Sequence, residues 1–247
     1  SPPMGSALGS FAASRCLMPY RWYLDYVVDA NGNSASYWYD AFTNLHGSGG
    51  SGWNQLTYWR DAVLSRIEYG TRAGNETTAT APAVVQFTSS DRCISACWSG
   101  STPNAANWPD TPWDLNCPAA PCNSSMPTFW STKRLTAVTT KVWTGSGTTY
   151  KTVDSWSLGQ SFPGGVFLPV LWLDSIIHTG YDATGANVAV PAVTFHGRLD
   201  RNRADFNPNV GMGDHKKYRI DYVETEHGGK IEVAYLPTTA DPLCQFG

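Results

Sequence analysis

The feature that most constrains this chain is a two-stranded unit that recurs along it. LDYVVDANGNSASYWYD (residues 24–40) aligns with IDYVETEHGGKIEVAYL (residues 220–236) at a constant spacing of 196 residues, so that Asp25 matches Asp221, Tyr26 matches Tyr222, Gly32 matches Gly228 and Tyr39 matches Tyr235. Each copy is an extended run, a glycine corner and a second extended run, the pattern of an antiparallel hairpin. Three looser copies lie between: LSRIEYGTRAGNETTATAPAVVQFT (64–88), RLTAVTTKVWTGSGTTYKTVDSWSL (134–158) around Gly145 and Gly147, and WLDSIIHTGYDATGANVAVPAVTFHG (172–197) around Gly180 and Gly185. A hairpin buries one face and leaves edge groups open, so it is stable chiefly when further copies continue the sheet. The series therefore predicts an all-β chain of successive antiparallel hairpins adding into one curved sheet. The only helical period, QLTYWRDAVLSRI (55–67), is short and overlaps a strand start.

The same alignment disposes of a tempting site. His227-Gly228-Gly229 could aim a loop at a reacting oxygen, but its sister positions are Asn31-Gly32-Asn33. Asn31 tolerates left-handed dihedrals, and the loop reads as a turn.

Lys and Arg total 17 against 20 Asp and Glu, a net charge of −3 with no block of like charge, which argues against a nucleic-acid surface. No apolar run approaches the ~18 residues of a bilayer span. The first residues, SPPMGSALGS, lack an initiator Met and a signal pattern, which suggests a processed product, a recombinant product or the interior of a longer chain.

Six cysteines are present, Cys16, Cys93, Cys97, Cys117, Cys122 and Cys244, and four fall in a Pro/Asn/Ser-rich stretch with little strand or helix signal. A long irregular loop loses more entropy on ordering than its own packing returns, so covalent ties are the expected remedy. Disulfides among Cys93, Cys97, Cys117 and Cys122 are expected, with Cys16 and Cys244 as further candidates, in an oxidising, secreted or cell-surface location. Zinc competes, since the C-x3-C and C-x4-C spacings approach ligand spacing. Six cysteines allow about 15 connectivities, and spacing does not choose among them. The expected organisation is an irregular segment, 1–15, then one hairpin-repeat domain, 16–247, interrupted by the Cys/Pro-rich insertion 89–128.

Taken together, WYLDYVVDANGNSASYWY with its Tyr39-Asp40, VLSRIEYGTRAG, WPDTPWDLNC, PTFWSTKRLTAV, LDSIIHTGYD and VPAVTFHGRLDR resemble the tyrosine-aspartate repeat of the Rhs family. The likeness is to the region ahead of the regular repeats in secreted actinobacterial Rhs proteins, relatives of polymorphic toxin shells and teneurins, and it runs along most of residues 11–243. The resemblance implies a spiral or cocoon-like β shell that encloses a C-terminal effector, with the remainder of the polypeptide and that effector as partners. The family's self-cleaving segment has no match here, so the resemblance implies wall without a catalytic centre.

Chemistry-bearing motifs are sparse. G-x-S-x-G, H-E-x-x-H and phosphate-binding loops are absent, and Ser51 and Ser146 read as loop residues. Glu224 and Glu226, two apart on an extended run, would project from one face and could in principle make the carboxylate pair of a glycoside hydrolase; cross-strand pairing with Lys230 is the plainer expectation. Asp29/Asn31/Asn33 and DRNRADFN (200–207) resemble calcium loops only loosely, since the first lacks a distant Glu and the second carries Arg201 and Arg203. No metal or cofactor is expected. His46, His178, His196 and His215 are scattered singly. Of eleven Trp, Trp22, Trp143, Trp156 and Trp172 sit in strand-like runs and are expected in the core, whereas Trp108 and Trp113 sit in the tied loop and are the candidate ligand-binding pair. The rival to a shell section is thus a secreted carbohydrate-active module, either a Trp-lined domain for a cell-surface glycan or a hydrolase using Glu224 or Glu226.

Overall fold

The computed structural model of the protein describes residues 18–48, 54–164, 169–202 and 215–235. In chain order the strands are β1 (Tyr26–Val28), β2 (Asn33–Ser48), β3 (Asn54–Arg72), β4 (Ala83–Asp91), β5 (Trp98–Ser99) and β6 (Thr102–Pro103); single 3-10 turns follow at Ala105–Asn107 and Trp113–Leu115. The remainder are β7 (Lys133–Trp143), β8 (Tyr150–Ser161), β9 (Trp172–Tyr181), β10 (Asn187–Ala189), β11 (Val193–Arg201), β12 (Lys216–Glu224) and β13 (Lys230–Glu232). No α-helix occurs among the described residues. The expected helical period lies wholly within β3, where cross-strand pairing overrides a weak local signal.

The chain divides into two compact units, residues 1–84 with 112–132, and residues 85–111 with 133–247. In the first, β2 pairs β1 over three residues and then β3 along its whole length. In the second, β7, β8, β9, β11, β12 and β13 pair antiparallel in succession, and β10 joins β9. β10 and β11 are one return strand interrupted at Pro191, which has no N–H to give to a ladder; Val190 still donates to the His178 carbonyl at 2.9 Å.

The repeat is reproduced bond for bond. Tyr26↔Ser36, Val27↔Ala35 and Val28↔Ser34 in the first copy correspond to Tyr222↔Glu232, Val223↔Ile231 and Glu224↔Lys230 in the last. Gly32 N–H donates to the Asp29 carbonyl at 3.0 Å and Asp29 N–H to the Asn33 carbonyl at 2.9 Å; Gly228/Thr225 and Thr225/Gly229 repeat these at 3.0 and 2.8 Å. The β9–β10 hairpin repeats them again through Asp182, Gly185 and Ala186. This is a turn closed by a left-handed residue, and that residue is always Gly (φ 76°, 90° and 78° at Gly32, Gly185 and Gly228). Asn31 and His227 are not in left-handed conformation, so the tolerance expected of Asn31 is not called upon. The preceding side chain is the template: Asp29 accepts from the Asn31 and Asn33 amides at 2.8 Å each, Asp182 from Thr184 and Ala186, and the Thr225 hydroxyl from Gly229 at 3.0 Å.

Burial sets the two units apart. In the first, Ser34, Ser36, Asn44, Arg60, Thr71, Ala81, Val84, Cys122 and Thr132 are buried. In the second, Cys93, Trp108 and Thr111 are buried, all within 85–111. No side chain of β7 to β13 is buried; successive residues on opposite faces are half-buried alike. A sheet packed on a full second layer alternates buried with exposed, so among the described residues these strands behave as a single layer with no fully covered face. The core expected of Trp22 and Trp143 is not found: Trp22, in the first unit ahead of β1, is 66% exposed, and Trp143, closing β7 of the second with its indole on the Gly147 carbonyl, is 37% exposed. Trp156 and Trp172 are half-buried against neighbouring strands.

Gly197 follows a bulge in the β11/β12 pair, and a Cβ placed on it would stand 2.3 Å from the Tyr218 ring and 3.0 Å from Trp172, whose rings meet edge-on at 5.2 Å. Gly197→Ala should cost about 1–3 kcal/mol in urea unfolding because two rings must move. Gly159→Ala, which meets the movable Ser175 hydroxyl, should cost less. The turns also give a pH dependence. Asp29 and Asp182 are held below the usual carboxylate range by side-chain hydrogen bonds from Asn33 and Thr184 respectively, supported by backbone amides. A depressed folded-state pKa stabilises above the unfolded value and is lost as pH falls through the folded one. Protection factors of the Asn33 and Ala186 amides, taken relative to intrinsic exchange, should therefore fall as pH drops through the depressed carboxylate range, while the Gly229 amide on the Thr225 hydroxyl shows no such titration.

Candidate functional site

The Cys/Pro-rich segment is the least regular part of the chain and holds the Trp pair singled out above. Its two halves fasten to different units. Residues 85–111 carry a Cys93–Cys97 disulfide and residues 112–132 a Cys117–Cys122 disulfide, so each bridge closes a tight local loop. Cys16 and Cys244 lie outside the described residues.

In the first half, the Cys97 carbonyl accepts from Trp108 Nε1 at 3.0 Å and from the Asn104 amide at 2.9 Å, while Asn107 Nδ2 donates to the Ala96 carbonyl at 3.0 Å. Trp98 meets Trp108 edge-on at 5.5 Å and donates its indole N–H to Asp91 at 2.7 Å, and Lys133 pairs with the same carboxylate at 2.7 Å. Arg92 grips Asp110 bidentately at 2.9 and 2.6 Å, and Asp110 also accepts the Leu171 amide at 3.1 Å. Trp108 is 2% exposed, so both faces of its indole are consumed by packing and no sugar can stack on it.

In the second half the segment runs along β2. Leu45 N–H donates to the Cys117 carbonyl at 3.0 Å and Gly47 N–H to the Ser124 carbonyl at 2.7 Å, which pairs the edge of β2 that short β1 leaves open. Asn44 is the clamp: its Oδ1 accepts the Cys117 amide at 2.7 Å and its Nδ2 reaches the Leu115 carbonyl at 2.9 Å and Tyr58 Oη at 3.1 Å. Tyr58 in turn donates to the Thr128 carbonyl at 2.8 Å. Trp113 is half-buried and meets Trp130 edge-on at 5.9 Å, and the buried Arg60 guanidinium lies 3.8 Å over the Trp130 ring, its basicity lowered by burial. Trp113 and Trp108 belong to separate units and form no joint patch within either.

The acidic candidates are likewise not brought together. Glu224 ends β12 and Glu226 lies in the following turn, which removes the same-face geometry expected of an uninterrupted strand. Glu224 Oε2 is 3.5 Å from His196 Nε2, and Glu226 is 3.6 Å from His227 Nδ1. Lys230, expected to pair with one of them, stands opposite Glu224 in register yet bonds Glu232 at 2.9 Å and lies 4.1 Å over the Tyr222 ring. No group of three metal-ligating side chains occurs among the described residues.

Sequence reasoning missed a regular device of the second unit: a His stacked on an aromatic of the adjacent strand and paired with a carboxylate. His178 lies on Trp156 (4.9 Å, 12° between planes) with Nε2 2.7 Å from Asp154. His196 lies on Tyr222 (4.2 Å, 11°) beside Glu224. The signal needed was register, since His178 is opposite Trp156 and His196 opposite Tyr222. These pairs act as cross-strand staples.

Neither a family model nor a curated protein matches the chain. Among solved structures it is similar to the crystal structure of TcdB2-TccC3-TEV (12% identity, 76% of this chain and 9% of that one, TM-score 0.42) and that of TcdB2-TccC3 (13%, 76% and 9%, TM-score 0.42). It is also similar to the Tc holotoxin pore of Photorhabdus luminescens (12%, 74% and 9%, TM-score 0.38). The chain thus spans less than a tenth of the length of each of these three.

The local bridges generate a prediction. Each closes five or six residues, for which loop entropy amounts to about 2 kcal/mol. Cys93→Ser with Cys97→Ser should lower the unfolding free energy by about that amount and redden tryptophan emission as Trp108 meets water, both measurable by fluorescence-detected urea titration.

Proposed function

We propose that this chain is a section of a secreted Rhs-type β shell or scaffold, enclosing or displaying a C-terminal effector of the same polypeptide, with no catalysis of its own. One observation carries the reading: the meander from β7 to β13 is a single layer without a buried side chain. A hydrolase or lectin domain of this size concentrates a covered core beneath a cleft. A wall needs no such core, because its inner face is covered by what it surrounds. Val188, Ile231, Val142 and Leu199, exposed at 74%, 58%, 45% and 39%, are apolar surface of the kind an enclosed chain would cover. The order of motifs in the sequence, with its repeated Tyr-Asp hairpins, supports the same reading. The disulfides agree with a secreted or cell-surface location.

The alternative carbohydrate-active module finds no support in the placement of its candidate residues. Trp108 is buried, Trp113 packs on Trp130, and Glu224 and Glu226 pair with separate histidines.

Hydrogen exchange of this chain alone and within its full-length natural polypeptide tests the proposal. Backbone amides of β8, β9, β11 and β12 should gain protection in the longer polypeptide, and its C-terminal portion should resist protease until the shell is unfolded. Equal exchange in both forms, together with a C-terminal portion cleaved as fast as it is in isolation, would refute the shell reading.

A further inference from the structure

The two copies of the hairpin that stand 196 residues apart each open into a cleft of about 320 Å³ lined by matching positions. Asp25, Tyr26, Ser36, Tyr37 and Trp38 line the first, and the matching Asp221, Tyr222, Glu232, Val233 and Ala234 line the second. The cleft is thus a property of the repeat: the Asp-Tyr of the leading strand faces three consecutive residues of the return strand that begin at the last paired position.

What fills the second cleft is visible. Lys230 extends across it, its ammonium 4.1 Å over the Tyr222 ring and 2.9 Å from Glu232, and Arg198 reaches Asp221 at 3.4 Å from the other wall. A cation lies on the tyrosine face with carboxylates beside it, a favourable combination of ring quadrupole and charge. In the first cleft the residue matching Lys230 is Ser34, which is 3% exposed and hydrogen-bonded to Thr71 at 2.8 Å. No Lys or Arg lines that cleft. The carboxylates remain: Asp25 is exposed, and Glu76, brought from the β3–β4 connection, is fixed by the Tyr26 hydroxyl and by the Gly74 amide at 2.9 Å. The hydroxyl bond holds Glu76 below the usual carboxylate range, so it is anionic at neutral pH. Tyr26 is 41% exposed and Trp38 38%; Arg66 covers one side of Trp38 at 4.5 Å and is itself held by Glu68 at 2.6 Å, outside the cleft lining. The first cleft keeps the tyrosine wall and the leading-strand carboxylate, has Ser36 in place of Glu232 but gains Glu76 from another segment, and lacks both cations of its sister.

We propose that the cleft of Asp25, Tyr26, Trp38 and Glu76 binds a primary ammonium group, such as a lysine side chain, in the position that Lys230 occupies in the sister copy. The inference is independent of the shell reading, since it rests on the comparison of two clefts within this chain.

Titration of the isotopically labelled chain with N-acetyl-lysine methylamide, followed by NMR, tests it. Saturable shifts are expected at the Tyr26 amide and the Trp38 indole N–H, and none at Tyr222. The norleucine counterpart, equal in shape but uncharged, should leave these signals in place. Asp25→Asn should weaken the lysine derivative about tenfold, the size of one charged contact, and Glu76→Gln similarly, whereas Asp221→Asn should not alter it. Asp25 is exposed, so its variant retains the fold even where Glu76→Gln loosens the Gly74 turn. The proposal is overturned by absent or non-saturable shifts, by equal shifts with norleucine, by unchanged affinity in Asp25→Asn, or by a neutral trisaccharide that displaces the lysine derivative.

Discussion

The second unit depends on the antiparallel ladder more than on any hydrophobic core. From β7 to β13 no side chain is buried, so the stabilisation that a domain draws from covered apolar area is reduced to partial burial between neighbours in the same sheet. Each backbone bond contributes only about 1 kcal/mol net, and cross-strand side-chain pairs about 0.2–1 kcal/mol each. Such a structure holds because the terms are many and repeated. This explains the density of paired devices on it: Trp156 with His178 and Asp154, Tyr222 with His196 and Lys230, Trp172 with Tyr218 over Gly197.

The hairpin turn shows how a repeat preserves geometry while changing chemistry. Three copies share the backbone bonds and the left-handed Gly, yet the capping oxygen comes from a carboxylate in Asp29 and Asp182 and from a hydroxyl in Thr225. The requirement is an acceptor two to four residues ahead of the amides it serves, which either group meets. Along the return strand the change is larger, Ser34 against Lys230 and Ser36 against Glu232: Ser34 is buried on Thr71, whereas Lys230 and Glu232 line an open cleft.

What was legible in the sequence follows from this difference. The hairpins and their order could be read from residues 24–40 against 220–236, because turn chemistry is local and a glycine corner marks where each run reverses. Burial could not. Apolar alternation marks a face but not what lies behind it: Trp143 closes β7 of a sheet without a buried side chain, and Trp22 lies ahead of β1, so both are exposed although their surroundings are rich in strand formers. Trp108 is buried for a reason no periodicity carries, a five-residue disulfide loop whose Cys97 carbonyl it caps. Glu224 and Glu226 were separated by where β12 ends, and boundaries are set by tertiary pairing beyond local preference.

A single sheet with apolar faces also has edges, and an open edge invites pairing with any extended chain. The structure limits this where it can be seen. β1, β10 and β13 are each three residues long. Past β1, the edge of β2 is taken by Leu45 and Gly47 bonding to the Cys117 and Ser124 carbonyls, a rigid irregular segment and not another strand. Past β10, Pro191 removes a donor; on β13, Lys230 and Glu232 place charges on the outermost strand. The disulfide-tied segment is thus part of the first unit's own architecture: without it the longest hairpin, β2 with β3, would present an unpaired stretch of edge. Backbone hydrogen bonds cover that edge, and the Cys117–Cys122 disulfide holds the covering segment in its loop.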